Sequence, residues 1–208
     1  MRKAIVPGTV VFAFLTAVAF AQTPKSTGAS SANMSAASAA DQQFIKNAAE
    51  GSLAEVEMGR LAAQHASHAD VKSFGQRMIS DHQKVDNELK DIAAKKHVTL
   101  AATLNTQDQK TYDGLSKLSG DAFDRAYMKD MVQDHQADIA HFKAEAASGK
   151  DADVKAFASK TLPTLEDHLK AAEAANGTVA ANKTSMNKAT TAKTAASKTA
   201  AATTASAK

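Results

Sequence analysis

Between residues 41 and 175, apolar side chains recur at intervals of three and four positions. This interval matches the 3.6-residue turn of an α-helix, whereas a strand would alternate at every second residue. Stripes of this kind start at Phe44, Val71, Phe123 and Val154. The sequence therefore predicts an all-α fold, with long helices at about residues 42–66, 71–96, 121–147 and 152–176.

Two similar segments support a bundle built from hairpins. Residues 74–82 and 127–135 each begin with an aromatic residue and end, eight positions later, with the His of an Asp-His pair. Two helical hairpins joined by one long connection are a known layout of four-helix bundles, and a shorter helix is expected in that connection at about residues 106–118. Pro163 is expected to bend or interrupt the last helix, because proline removes a backbone donor.

The first residues predict export from the cytoplasm. Residues 1–21 combine a positive start, an apolar stretch and small residues at Ala19 and Ala21, which is the pattern of a signal peptide cleaved after Ala21. The uninterrupted apolar run is shorter than the about 20 residues that a membrane-spanning helix needs. We therefore expect a periplasmic or envelope-associated protein with no transmembrane segment in the mature chain. Without cysteine, the chain has neither a lipoprotein site nor a disulfide.

Composition sets the expected limits of the bundle domain at residues 41–176. Residues 22–40 are rich in Ser and Ala, which predicts a disordered linker. Residues 177–208 are rich in Ala, Thr and Lys and contain no acidic or aromatic residue, which predicts a disordered basic tail. This tail could contact an anionic envelope surface or serve only for solubility. Without aromatic residues for base stacking, no nucleic-acid partner is expected.

One Glu and three His residues are candidate metal ligands: Glu55, His82, His135 and His168. Each occupies an inward position of its predicted helix, near the middle of that helix. Residues at mid-helix stay at mid-bundle in every topology, so the four should share one layer of the interior. Imidazole and carboxylate suit a divalent transition metal such as iron, zinc or manganese. The alternative is a metal-free core in which the histidines form hydrogen bonds with Glu55, waters or Tyr127.

Four segments resemble the bacterial family called domain of unknown function 4142: residues 54–59, 74–82, 127–135 and 162–169. They occur in the same order as in that family, and the similarity covers about residues 41–175. The resemblance implies a ferritin-like four-helix bundle in the periplasm or at the outer membrane. It implies no activity. Di-iron proteins of the ferritin type carry Glu-x-x-His on two helices, and this chain has no such motif.

The remaining acidic residues near the histidines are expected at the surface. Asp138 and His141 form the nearest approach to Glu-x-x-His and are interpreted as a surface pair. Asp81, Asp134 and Asp167 each precede a candidate ligand and lie about 100° from the inner direction of their helices, which favours solvated charges. The alternative is that they form hydrogen bonds with metal-bound histidines across a neighbouring helix.

No arrangement of serine or cysteine resembles a catalytic nucleophile. The favoured interpretation is therefore a non-enzymatic module of the envelope or of the stress response. The alternative is a metal-binding, redox-related bundle that uses the inward layer of Glu and His.

Overall fold

The computed structural model describes residues 37–205, with side chains up to residue 181. The predicted signal peptide and nearly all of the predicted linker lie outside the described residues. Within the described part, the chain forms five helices: α1 (Ala39–His65), α2 (Ala69–Lys95), α3 (Thr106–Leu115), α4 (Gly120–Ser148) and α5 (Ala152–Ala205). The predicted all-α fold is confirmed, and the predicted starts of the long helices lie within three residues of the observed ones.

The helices pack as two antiparallel hairpins. α1 pairs with α2 and α4 pairs with α5, while α1 also contacts α4 and α2 also contacts α5. The short helix α3 lies in the connection between the hairpins and packs against α1 and α4. This is the predicted four-helix bundle with one crossover. Among the described helices, none combines the length and the apolar character that crossing a membrane requires.

Two apolar clusters fill the interior, one toward each end of the bundle. The first contains Met58, Phe74 and Tyr127, and the second contains Ile45 and Phe157. Each of these side chains is at most 4% exposed. Along α2 and α4, His82 and His135 lie between residues of the first cluster and residues of the second. Glu55 and His168 lie close to the same transition in α1 and α5, so a polar layer lies between the two halves of the core.

The two hairpins repeat each other at an offset of 83 residues (152 minus 69). Residues 69–74 (Ala-Asp-Val-Lys-Ser-Phe) and 152–157 (Ala-Asp-Val-Lys-Ala-Phe) differ at one position. The same offset relates Phe44 to Tyr127, and both lie on inward faces of equivalent helices. The bundle is thus two related halves facing each other.

A buried aspartate from each hairpin holds the turn of the other hairpin. The Asp41 carboxylate accepts hydrogen bonds from the backbone N–H groups of Lys150 at 2.9 Å and Asp151 at 3.2 Å. At the equivalent position, Asp124 accepts from the N–H groups of Ser67 at 3.1 Å and of the residue after it at 2.9 Å. Both aspartates are fully buried. These interhairpin aspartate contacts satisfy backbone donors at the helix ends, which would otherwise lack partners.

α1 and α2 approach most closely at two glycines. A Cβ atom added to Gly75 would lie 2.6 Å from the Cβ of Ala62 and 2.9 Å from the carbonyl oxygen of Gly59. A Cβ atom added to Gly59 would lie 2.7 Å from the carbonyl oxygen of Gly75. The two backbones are therefore in direct contact, and no larger residue fits at either position without a shift of a helix.

α5 is longer than the sequence predicted. It continues through Pro163 and does not begin anew there. The predicted domain boundary at residue 176 lies within α5, because Ala- and Lys-rich sequence has a high helix propensity. Val179 is 2% exposed and belongs to the first apolar cluster, so the packed domain extends at least to that residue.

Candidate metal centre

The structure brings all four predicted ligands into one buried layer, with one side chain from each long helix. Glu55 comes from α1, His82 from α2, His135 from α4 and His168 from α5, and none is more than 3% exposed. Glu55 Oε2 lies 3.0 Å from His82 Nε2, and Glu55 Oε1 lies 3.3 Å from His135 Nε2. The expectation that these residues share one level of the interior is met by these distances.

The three imidazole rings surround a common point. Their centroids are 6.3 Å apart for His82 and His135, 5.5 Å for His82 and His168, and 5.4 Å for His135 and His168. One ring nitrogen from each residue lies within 4.8 Å of the other two. Metal–nitrogen bonds of about 2.1 Å in a tetrahedral site would place these nitrogens about 3.4 Å apart. Small side-chain rotations would therefore bring them to bonding distance of one ion.

Hydrogen bonds orient two of the rings through their outer nitrogens. His82 Nδ1 lies 3.2 Å from the Ser52 hydroxyl, and His135 Nδ1 donates to the carbonyl oxygen of Met131 at 2.9 Å. Because Nδ1 of His135 carries the proton, its Nε2 holds a lone pair that points inward. The Nε2 atoms of both histidines are buried and lie at ion-pair distance from Glu55.

The third ring is oriented by a carboxylate. His168 Nε2 donates to Asp81 Oδ2 at 3.1 Å, which leaves His168 Nδ1 buried without a hydrogen-bond partner. A carboxylate on the outer nitrogen is a common feature of metal-bound histidines, because it fixes the ring and raises its basicity. The sequence left open whether Asp81 is a solvated charge or contacts a histidine of a neighbouring helix. The structure shows the contact, with His168. Asp167 is exposed, as expected for a solvated charge.

Electrostatics favour one ion pair and two neutral rings in the layer. Burial would raise the pKa of Glu55, but the charge of the adjacent His82, and its hydrogen bond, hold it below its usual value. Burial opposes the protonation of His82, yet the adjacent Glu55 carboxylate raises its pKa. Burial lowers the pKa of His135 and lowers that of His168 to about 4. His135 and His168 are thus neutral near pH 7, which is the form that binds metals.

Two further carboxylates lie beside Glu55, and sequence reasoning placed both at the surface. Asp134 and Asp138 of α4 are only partly exposed, and one oxygen from each lies within 4.8 Å of a Glu55 oxygen. Burial and the Glu55 charge raise the pKa of Asp134 to about 9 and that of Asp138 to about 7. The interpretation of these two residues as solvated surface charges is wrong, although His141 is exposed as expected.

Of the contacts expected for a metal-free core, the pairing of Glu55 with a histidine occurs, at 3.0 Å from His82, whereas the hydrogen bond to Tyr127 does not. The Tyr127 hydroxyl is fully buried and has no hydrogen-bond partner among the described residues. Burial, followed by the nearby Glu55 charge, raises the pKa of this tyrosine well above its ordinary value. Tyr127 therefore takes no part in the contacts of the layer.

Comparison with known proteins identifies the family and the fold. The family model described as "Domain of unknown function (DUF4142)" matches residues 26–175. No curated protein matches the chain. Among solved structures, a DUF305 fragment from Deinococcus radiodurans has 13% sequence identity and a TM-score of 0.60, and the match covers 68% of this chain and 97% of that one.

Structures of a protein named CopM are also similar. Its Cu(II)-bound form has 16% identity and a TM-score of 0.56, and the match covers 66% of this chain and 96% of that one. Its Cu(I)-bound form has 18% identity and a TM-score of 0.54, with 64% and 92% covered. At this level of identity, the likeness shows that the chains share a helical-bundle fold.

Proposed function

We propose that this chain, which belongs to the DUF4142 family, binds a transition-metal ion inside its bundle through Glu55, His82, His135 and His168. The observation that supports this most is the convergence of buried ligand atoms in the layer: Glu55 lies 3.0 Å from His82 Nε2 and 3.3 Å from His135 Nε2, and His168 Nδ1 is buried beside them without a hydrogen-bond partner. Leaving one buried polar atom unsatisfied costs about 1–3 kcal/mol. A single cation at the common point of the three rings would be bound by their nitrogens, and Glu55, which is adjacent to His82 and His135, would supply the fourth ligand.

Copper is the ion that we propose first. Three imidazoles and a carboxylate suit several divalent metals, and among these Cu²⁺ generally binds such sites most tightly. Structurally similar CopM is described in Cu(I)-, Cu(II)- and silver-bound forms. The sequence had suggested iron, zinc or manganese, and the comparisons give none of these any support.

The proposed role is to hold the metal rather than to catalyse a reaction with it. Sites with four protein ligands are closed, whereas catalytic metal sites keep a position open for water or substrate. All four proposed ligands are buried, each on a different helix. With the predicted signal peptide, this would be a metal-binding module of the cell envelope. The contact of the Lys-rich tail with an anionic envelope surface stays a prediction, because side chains beyond residue 181 lie outside the described part.

Metal binding to a matched pair of variants tests the proposal. The purified chain is stripped with chelator, dialysed and titrated with Cu²⁺ by calorimetry, and bound metal is counted by elemental analysis. We expect one tightly bound copper ion per chain, with an increase in melting temperature, since binding to the native state stabilises it. His135→Leu should lose this ion, whereas His141→Leu, which changes an exposed histidine of the same helix, should keep it. Equal copper binding by the two variants would contradict the proposed site.

A further inference from the structure

α2 and α4 carry the same pattern of side chains on their inward faces. Each has an aromatic residue, a methionine and a histidine at intervals of four residues: Phe74, Met78 and His82 on α2, and Tyr127, Met131 and His135 on α4. Residues four apart lie on one face of a helix, so each methionine lies between its histidine and its aromatic ring. At 1.5 Å per residue, each methionine is about 6 Å along the helix from its histidine.

Ring contacts on both sides of Met78 and Met131 show that these two methionines face each other. The two aromatic rings of the pattern have centroids 6.1 Å apart, and the two imidazoles have centroids 6.3 Å apart. The methionines lie midway between these two ring pairs, on the same faces of the same helices. Both are fully buried and belong to the first apolar cluster. Their side chains therefore enter the same part of the interior, next to the histidine layer.

α1 adds a third methionine at the same level. Met58 lies one turn after Glu55, is 3% exposed and belongs to the same cluster. Because α1 and α2 are antiparallel, one turn after Glu55 corresponds to one turn before the histidine of α2. The helices are close here, since a Cβ atom added to Gly59 would lie 3.5 Å from the Cβ of Met78. From α5, the buried residue one turn beyond the histidine is Ala172, whose small side chain leaves room for the thioethers.

Methionine is confined to one side of the histidine layer. All four methionines between residues 37 and 181 belong to the first apolar cluster, and the second cluster contains none of them. One turn from the histidines on the opposite side, the residues are Val85, Ile139 and Leu165. Branched aliphatic side chains thus fill the core well at this distance from the layer, and they specify packing better than the flexible methionine does. The property that methionine adds is its thioether sulfur.

We propose that Met58, Met78 and Met131 form a thioether site that binds a soft monovalent cation, Cu⁺ or Ag⁺, beside the histidine layer. Thioether sulfur is a soft ligand that selects Cu⁺, whereas imidazole and carboxylate suit divalent ions. Thioethers are uncharged, and a dry interior accepts one positive charge at a lower cost than two. The rings of Phe74 and Tyr127, one turn farther along, present π-electrons that favour a cation nearby. The inference goes beyond the proposed function and does not require an ion at the histidines.

The test uses Ag⁺, which is soft, diamagnetic and stable in one oxidation state. The purified chain is labelled with ¹³C at its methionine methyl groups and titrated with Ag⁺ in chloride-free buffer, and each methyl resonance is assigned from the Met→Leu variant that lacks it. We expect Ag⁺ to shift the resonances of Met58, Met78 and Met131. Met128 is the internal control, because it is fully buried in the same cluster but lies seven residues before His135, and its resonance should not shift. Unshifted resonances of Met78 and Met131 would overturn the thioether site.

Affinities for Ag⁺ test the same residues independently. Met78→Leu and Met131→Leu should each bind Ag⁺ at least tenfold more weakly than wild type, whereas Met128→Leu should bind it like wild type. Exchange of methionine for leucine nearly conserves volume, so the variants should remain folded, and circular dichroism establishes this. Absence of Ag⁺ binding by the wild-type chain, or equal affinity in all three variants, would contradict the proposal.

His135→Leu separates this inference from the proposed function. This variant should lose Cu²⁺ and keep Ag⁺ with its methionine shifts, whereas Met78→Leu should keep Cu²⁺ and bind Ag⁺ weakly. If wild type binds no Cu²⁺ but Ag⁺ shifts the resonances of Met78 and Met131, the proposed function fails and the thioether site stands. Imidazole also binds Ag⁺, so the opposite result is equally clear. Ag⁺ binding that is lost in His135→Leu and unchanged in Met78→Leu would place the ion at the histidines and overturn the thioether site.

Discussion

Replacing Gly75 by Ala should force α1 and α2 apart at their point of closest approach. The added Cβ would lie 2.6 Å from the Cβ of Ala62 and 2.9 Å from the carbonyl oxygen of Gly59. Carbon atoms in contact are about 3.5–4.0 Å apart, so the helices must separate locally by about 1 Å. Because one of the obstructing atoms belongs to the backbone, rotation of a side chain cannot relieve the overlap.

The expected decrease in the free energy of unfolding is the difference between two opposing effects. Overpacking in a well-packed interior costs about 1–3 kcal/mol. Ala is favoured over Gly within a helix by about 1 kcal/mol, which offsets part of this cost. With two overlaps at one position, we expect a net loss of about 1–2 kcal/mol in the free energy of unfolding. For a chain of this size, that corresponds to a decrease of roughly 2–8 °C in the melting temperature.

The same substitution should weaken the proposed copper site. Glu55 lies one turn before Gly59 in α1, and His82 lies two turns after Gly75 in α2, so separation of the helices pulls these ligands apart. Thermal and urea unfolding followed by circular dichroism, with copper titration beside it, measures both effects. Gly177→Ala is the matched control, because Gly177 is exposed in α5 and a Cβ there meets no atom within 4 Å. It should raise stability by up to about 1 kcal/mol. An equal increase in the free energy of unfolding in Gly75→Ala and Gly177→Ala would refute the close-contact argument.

Three other predictions concern the ends of the bundle. Asp124→Ala should lower the free energy of unfolding by about 2–3 kcal/mol in urea titrations, because it removes charged hydrogen bonds to backbone donors of the α1–α2 turn. Burial and a neighbouring carboxylate raise the pKa of Glu145 to about 7, so the native state binds a proton that the unfolded state releases, and stability should fall as pH rises from about 4.5 to about 7. Glu145→Gln should lose the contribution of Glu145 to that slope in urea titrations across this pH range, whereas the contributions of Asp134 and Asp138, whose pKa values are also raised, should remain. A chain ending at residue 181 should melt within about 2 °C of the full chain, whereas a chain ending at residue 176 loses the buried Val179 and should be less stable by about 1.5 kcal/mol.

The helices and the histidine layer were predictable, because both follow from local periodicity. Apolar spacing gives the inward direction of a helix, and residues near mid-helix meet at mid-bundle in any topology. The positions of the α4 carboxylates were not predictable in this way. The direction in which a side chain points from its own helix does not show which neighbouring helix packs over it. Asp134 and Asp138 are covered by α1, which brings them beside Glu55. The 83-residue offset was the available signal, because it makes Asp138 the counterpart of Glu55.

The reciprocal aspartate contacts bear on how this chain could assemble. Asp41 and Asp124 each hold the turn of the opposite hairpin, and the two hairpins are joined through residues 96–119. Two chains that exchanged one hairpin would keep both contacts and both apolar clusters, as in a domain-swapped dimer. The single-chain form is favoured by the high local concentration that the connection imposes. Shortening that connection would shift the balance toward exchange, and each ion would then be held by residues of two chains.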